Sequence, residues 1–139
     1  MLSFASLARS VLYSRLNHDG RAAVTLAVAT TISWVGGVVH NETEFLGATV
    51  LSPLNSIPGV ILTLLYAVWL LSHFRRAASG ILFGWGLVGL IGWGIISVLP
   101  LSFLPWVPAQ TVMHYLVHVV VSLANIPLIL LSFRMLRTE

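Results

Sequence analysis

Four long apolar stretches constrain the fold of this chain more than any other feature. They are Ala22–Val39, Ile57–Phe74, Ile81–Leu99 and Thr111–Phe133, and histidine is the only ionisable side chain other than tyrosine within them. Each is close to the roughly 20 residues that an α-helix needs to cross the hydrocarbon layer of a bilayer. Because backbone polar groups in lipid must be paired within the protein, each stretch is predicted to be a transmembrane α-helix.

The composition excludes the other broad classes of protein. Only 8% of the residues are charged and 58% are hydrophobic, whereas about 25% of a soluble domain is charged. A disordered chain, a coiled coil and a soluble nucleic-acid-binding protein are therefore excluded. The absence of cysteine also excludes thiolate metal sites. We predict an all-α integral membrane protein in contact with the lipid bilayer, in which residues 1–139 form one up-down-up-down bundle of four helices.

The arginines predict the orientation of this bundle. All seven basic residues are arginine, and they occur only before the first span, between the second and third, and after the fourth: Arg9, Arg15, Arg21, Arg75, Arg76, Arg134 and Arg137. The other two connections, residues 40–56 and 100–110, contain none. Since basic residues accumulate on the cytoplasmic side of membrane proteins, both termini are predicted to be cytoplasmic.

Residues 1–16 are predicted to form a separate amphipathic helix. On a helical wheel, one side is apolar and the other carries serine and arginine; the apolar members are Phe4, Leu7, Ala8, Val11, Leu12 and Leu16. Such a helix lies in the membrane interface, here on the cytoplasmic side. The residues Asn17–Gly20 are predicted to make a turn into the first span.

Small side chains indicate where helices approach each other closely. The sequence predicts one ridge of them on the third span and one on the first: Gly80, Gly84 and Gly94, and Ala29, Ser33 and Gly37. Ridges of this kind allow close packing of transmembrane helices. On the opposite flank of the third span, Trp85 and Trp93 are predicted to lean to one side.

The fourth span carries the most informative pattern, a stripe of polar residues on an otherwise apolar helix. Its members lie within about 80° of one another on a helical wheel: Thr111, His114, His118, Ser122, Asn125 and Ser132. Unpaired polar groups are costly in lipid. The stripe is therefore predicted to face the bundle interior, a partner subunit or a water-filled cavity.

The predicted topology brings three histidines and two glutamates to the non-cytoplasmic end of the bundle. His40 ends the first span and is followed by Glu42 and Glu44, while His114 and His118 begin the fourth. One interpretation is a metal site. Because His114 and His118 are four residues apart, their imidazoles can share an ion such as zinc, with the other three residues completing the ligand set.

Other interpretations of the same cluster remain open. The residues His40, His114 and His118 are candidate cofactor ligands, because His40 with either of the others can hold haem b from two helices. Alternatively, the stripe is a seam of interhelical hydrogen bonds, or it lines a polar lumen for a small solute. The sequence does not identify a catalytic residue, although a metal-dependent hydrolase would need Glu42 or Glu44 as its base.

The sequence favours a non-catalytic function. A bundle of this size leaves little room for a complete enzyme, so we predict an accessory or anchor subunit of a larger membrane complex or a homo-oligomer. A metal-dependent intramembrane hydrolase that uses the same five histidines and glutamates is the alternative. A small transporter or channel is a third hypothesis.

Overall fold

The computed structural model describes residues 4–102 and 108–138, with side chains from residue 20 onward in these ranges. All regular secondary structure in this part of the chain is helical. The main helices are α1 (Phe4–Glu44), α2 (Pro53–Leu71), α3 (Arg75–Leu87) and α4 (Val112–Thr138). A π-helical segment, Val88–Ile95, and a short 3₁₀ turn, Ile96–Val98, extend α3.

Four helices of the described chain are long and apolar enough to cross a membrane, as the four apolar stretches predicted. They are Gly20–Glu44, Pro53–Leu71, Arg75–Val98 and Val112–Thr138. Between 17% and 39% of the most apolar window of each is buried inside the protein. Most of the apolar surface therefore faces outward, where lipid would cover it.

The predicted turn at Asn17–Gly20 is wrong, because α1 is continuous from Phe4 to Glu44. None of these four residues is proline, and each non-proline residue disfavours a helix interior by no more than about 1 kcal/mol. A long apolar helix can absorb that cost. The side chains of residues 1–19 lie outside the described ones, so the amphipathic face of residues 1–16 stays a prediction.

Helix α4 packs against both α1 and α3, and α2 packs against the same two helices. Contacts between α1 and α4 run in opposite order along the two helices: Glu44 meets His114, and Ser33 meets Asn125. These two helices are therefore antiparallel. The main apolar core lies toward the end where α1 begins and α4 ends; it includes Leu26, Leu62, Trp69, Leu82, Leu128 and Met135.

Three glycines make the closest approach of the α3 region to α4: Gly86, Gly89 and Gly94. A methyl group at Gly86 would lie 2.7 Å from Ile129 Cγ1, and one at Gly89 would lie 2.5 Å from Asn125 Cγ. A Cβ at either position would therefore force the two helices apart. The glycines set the distance at which the polar side chains of α4 meet α3.

The predicted glycine flank is consequently wrong at Gly84, where an added Cβ would have no neighbour within 4 Å. Gly84 lies in the α-helical part of α3 two residues before Gly86, so it points away from the face that packs against α4. The prediction is confirmed at Gly94, where an added Cβ would clash with Ser122 Oγ. The predicted common flank of Trp85 and Trp93 is confirmed, since their rings meet edge to face with centroids 6.2 Å apart.

The ridge predicted on α1 is confirmed at two of its three positions. Ala29 and Ser33 are buried, but Gly36 takes the place predicted for Gly37. A methyl group at Gly36 would lie 2.5 Å from Ala124 Cβ, whereas one at Gly37 would have no neighbour within 4 Å.

Candidate functional site

The polar stripe of α4 lies mostly inside the bundle. His114, His118, Asn125 and Ser132 are 7%, 2%, 3% and 0% exposed. Ser122 is half-buried, and Thr111, directly before the start of α4, is exposed. The stripe therefore faces the other helices of this chain over most of its length.

We call Ser122, Asn125 and Ser132 the inner part of the stripe, and Thr111, His114 and His118 its outer part. The side-chain polar atoms of the inner part are paired within the protein. Asn125 Nδ2 donates to the carbonyl oxygen of Val121 at 2.8 Å, and Asn125 Oδ1 accepts a hydrogen bond from Ser33 Oγ at 2.7 Å. Ser132 Oγ donates to the carbonyl oxygen of Leu128. The bond between Ser33 and Asn125 joins α1 to α4, whereas the other two bonds end on carbonyl oxygens of α4 itself.

The outer part of the stripe joins a cluster of ionisable side chains, which we call the histidine cluster: His40, Glu44, His114 and His118. The rings of His114 and His118 have centroids 4.4 Å apart, and those of His40 and His118 are 4.8 Å apart. His114 Nδ1 lies 2.8 Å from Glu44 Oε2. Glu42, which the sequence predicted as a further ligand, is exposed and has no described contact with the histidine cluster.

Hydrogen bonds fix which nitrogen of each buried ring carries the proton. His114 Nδ1 bonds to the Glu44 carboxylate, and His118 Nδ1 bonds to the carbonyl oxygen of Trp93 at 2.5 Å. Carboxylate and carbonyl oxygens only accept hydrogen bonds, so Nδ1 is the donor in both rings. When these imidazoles are neutral, each Nε2 is left with a free lone pair.

Neither of these Nε2 atoms has a hydrogen-bond partner among the described residues, although both are buried. An unsatisfied buried polar atom costs about 1–3 kcal/mol, and two lone pairs cannot satisfy each other. The pair therefore calls for an electron-pair acceptor or a hydrogen-bond donor. An Nδ1–H held by a carboxylate or a backbone carbonyl, with Nε2 free, is the arrangement typical of metal-ligating histidines.

The metal interpretation meets one geometric limit. Among the described residues, no three side chains of His, Cys, Asp or Glu are placed so that they already hold an ion together. The candidate ligands are therefore only the two buried histidines whose Nε2 atoms lack a partner, His114 and His118. The structure pairs Glu44 with the His114 ring, which is the role of an outer-shell carboxylate.

Haem b does not fit the cluster. Axial histidines stand on opposite faces of the macrocycle, with the iron between them. The His40 and His118 rings instead contact each other edge to face at 4.8 Å, and His114 lies directly beside His118. These contacts leave no room for a porphyrin between the rings.

Charge at the two ends of the bundle favours a cation near the histidine cluster. Glu42 and Glu44 lie at this end. The described arginines lie at the opposite end, near the starts of the first and third spans and the end of the fourth: Arg21, Arg75, Arg76, Arg134 and Arg137. A positive ion at the cluster therefore meets attraction from Glu44 and has no described basic neighbour.

Sequence reasoning missed several groups that complete the site. The carbonyl oxygen of Trp93, which bonds to His118, cannot be predicted from residue type, because every residue has a backbone carbonyl. Ser33 was predicted only as a small residue for packing, yet its hydroxyl pairs with Asn125. Asn41 adjoins His40 in the sequence, and its amide oxygen lies 3.0 Å from His40 Nδ1.

No protein-family model, curated protein or solved structure matches the chain.

Proposed function

We propose that this is an integral membrane protein whose four helices cross the bilayer up-down-up-down, with both termini in the cytoplasm. Four helices of sufficient length and hydropathy and the antiparallel contacts of α1 with α4 support the crossing. The concentration of arginine at one end supports the orientation. In this proposal the first residues of α1, which continue the first span without a turn, extend from it on the cytoplasmic side, and the histidine cluster lies near the opposite membrane surface.

The function in this proposal is to bind a first-row transition metal ion, with zinc as the reference ion, through His114 and His118. A single observation carries it: two adjacent imidazoles are buried with both Nε2 atoms unpartnered. Imidazole nitrogen is a good ligand for zinc, copper, iron and nickel. One bound ion accepts both lone pairs and removes two unsatisfied polar atoms at once.

The surroundings of the two rings support the same function. Glu44 and the Trp93 carbonyl each hold an Nδ1–H, which orients the ring and raises the basicity of its Nε2. Zinc usually takes four ligands, and sites that exchange water or substrate keep positions open. Two protein ligands leave such positions for water, for a further side chain or for a partner subunit.

We place this metal site in a non-catalytic accessory or anchor subunit, or in a homo-oligomer. The hydrolase alternative needs a free carboxylate as a base. Glu42 has no described contact with the histidine cluster, and Glu44 is held by His114. The arrangement therefore supports binding better than hydrolysis.

Elemental analysis of the purified protein tests the metal proposal. After loading with zinc and removal of excess ion, the wild type should retain about one zinc per chain. His114→Ala and His118→Ala should each lose it. His73→Ala is the matched control, because this histidine is exposed beyond the cytoplasmic end of α2 and should retain the ion. Equal zinc retention by all four proteins would refute the proposal.

The absence of cysteine makes the orientation directly measurable. Leu46→Cys places a thiol on a fully exposed side chain beyond the end of α1, and Thr138→Cys places one at the exposed end of α4. In intact cells, a membrane-impermeant thiol reagent should label Leu46→Cys and not Thr138→Cys until the membrane is opened. The reverse pattern, or labelling of both, would overturn the proposed topology.

A further inference from the structure

Two asparagines connect the loop between α1 and α2 to the histidine cluster. Asn55 Nδ2 donates to the carbonyl oxygen of Thr49 at 2.9 Å, and Asn41 Nδ2 donates to Asn55 Oδ1 at 2.8 Å. Asn41 Oδ1 in turn lies 3.0 Å from His40 Nδ1. These bonds form one continuous path from the loop backbone to the third histidine, which we call the amide relay.

The relay determines the tautomer of His40. Asn41 Nδ2 also lies 3.3 Å from the carbonyl oxygen of Leu54, so its amide nitrogen faces two acceptors and its oxygen must face His40. An amide oxygen only accepts hydrogen bonds. His40 Nδ1 is therefore the donor, and a neutral His40 presents its Nε2 lone pair, as the two buried histidines do.

Asn55 holds the relay firmly in place. It is 1% exposed, and its backbone oxygen accepts a hydrogen bond from Trp34 Nε1 at 2.8 Å. Both polar atoms of its side chain are also bonded, so any rotation of the Asn55 side chain would break hydrogen bonds. A buried asparagine with this many partners fixes the geometry of its neighbours.

We propose that His40 is the third protein ligand of the metal ion and that Asn41 and Asn55 are its positioning residues. This inference rests on the proposed metal binding by His114 and His118. All three imidazoles then share one pattern, with Nδ1 held by an oxygen: that of Glu44, of Trp93 and of Asn41. Three such nitrogens leave one open position on a tetrahedral ion.

Loading this site requires a small movement of one ring. The three histidines are not arranged around a common point in the structure. His114 and His118 are buried by neighbouring helices, whereas His40 is half-buried at the end of the bundle. His40 is therefore the least buried of the three rings, and in this proposal its ring turns toward an ion held by the other two while Nδ1 keeps its bond to Asn41 Oδ1.

Cobalt(II) is a suitable probe, because its visible absorption reports the number and type of its ligands. His40→Ala should bind one cobalt per chain with an altered spectrum and an affinity lowered by at least about 10-fold. Asn41→Ala should lower the affinity in the same direction, within the 10–100-fold that is typical of outer-shell partners. Asn41→Asp should recover part of this loss, because a carboxylate also accepts the Nδ1–H.

Thr43→Ala is the matched control on the same turn of α1. Thr43 is exposed, and its hydroxyl donates only to the carbonyl oxygen of Val39 at 2.7 Å. It should bind cobalt as the wild type does. Circular dichroism on each variant confirms that the helices are intact, and His40→Gln repeats the test with a longer side chain.

The outcomes separate the two proposals. A wild-type spectrum and affinity in both His40 variants would overturn the role of His40 and leave the function of the buried pair standing. An altered spectrum in His40→Ala with no change in Asn41→Ala would overturn the positioning role of the relay. If the wild type binds no cobalt, the proposed function itself fails.

Discussion

The inner and outer parts of the polar stripe on α4 differ in how their polar atoms are satisfied. In the inner part, the side chain of Asn125 is bonded on both sides, to Ser33 and to Val121. In the outer part, His114 and His118 each use Nδ1 and leave Nε2 buried without a partner. Asn125 is 3% exposed, and His114 and His118 are 7% and 2% exposed, so burial alone does not distinguish these side chains.

This difference distinguishes polar groups that stabilise helix packing from polar groups that can bind a ligand. A hydrogen bond between transmembrane helices contributes about 0.6–1.7 kcal/mol, and once formed it leaves nothing for a ligand. An unpaired buried nitrogen does the opposite, because it lowers stability until something binds it. The inner part therefore serves the fold, and the outer part is the candidate site.

Gly89→Ala should give the largest loss of stability, because it breaks the inner part of the stripe. The new Cβ would lie 2.5 Å from Asn125 Cγ, and the bonds to Ser33 and Val121 prevent Asn125 from moving aside. Overpacking of this kind costs about 1–3 kcal/mol. Unfolding in mixed detergent micelles measures it.

Gly84→Ala is the control for this substitution. Its Cβ would have no neighbour within 4 Å, and alanine favours a helix over glycine by up to about 1 kcal/mol. It should be neutral or stabilising. Equal destabilisation by both substitutions would show that the packing of α3 on α4 does not depend on the glycines named here.

Glu44→Gln tests whether the charge beside His114 contributes to metal binding by the outer part of the stripe. Glutamine keeps an oxygen for His114 Nδ1 but removes the negative charge, so zinc affinity should fall by about 10–100-fold, measured by competition with a coloured chelator. Glu42→Gln removes the same charge two residues away from an exposed position and should change the affinity far less. Similar losses would mean that only the general negative potential matters.

Ser33→Ala should have the smallest effect of the three. It removes the 2.7 Å hydrogen bond to Asn125 Oδ1 and should cost about 0.6–1.7 kcal/mol of unfolding free energy. Zinc affinity should not change. Thr31→Ala, whose hydroxyl bonds only within its own helix at 2.9 Å, should leave both quantities almost unaltered. A fall in zinc affinity with Ser33→Ala would contradict the separation of the two parts.

Much of the fold follows from hydropathy, because a bilayer-spanning helix needs a long apolar segment and little else. All four helices were predicted on that basis. The continuity of α1 through Asn17–Gly20 was not, since turn-forming residues outside proline only weakly oppose a helix. The π-helical segment Val88–Ile95 was also missed, because its glycines permit it without demanding it.

For the site, the sequence predicted which residues lie together, but not which hydrogen bonds they form. Spacing placed His114 and His118 on one face, and topology brought His40 and Glu44 to the same end. The identity of each hydrogen-bond partner depends on the precise placement of residues that are up to 92 positions apart in the sequence, and no periodicity encodes that placement. The roles of the Trp93 carbonyl and of the amide relay are therefore apparent from the structure and not from the sequence.

Unfolding of His118→Leu with and without zinc tests the central claim most directly. Without metal, the variant should be at least as stable as the wild type, because it removes the unpaired Nε2 while Ser97 Oγ still donates to the Trp93 carbonyl at 2.6 Å. Zinc at about 100 times its dissociation constant should stabilise the wild type by about 2.7 kcal/mol and the variant not at all. A variant that is less stable without metal, together with zinc shifting both proteins equally, would show that His118 belongs to the seam and not to a site.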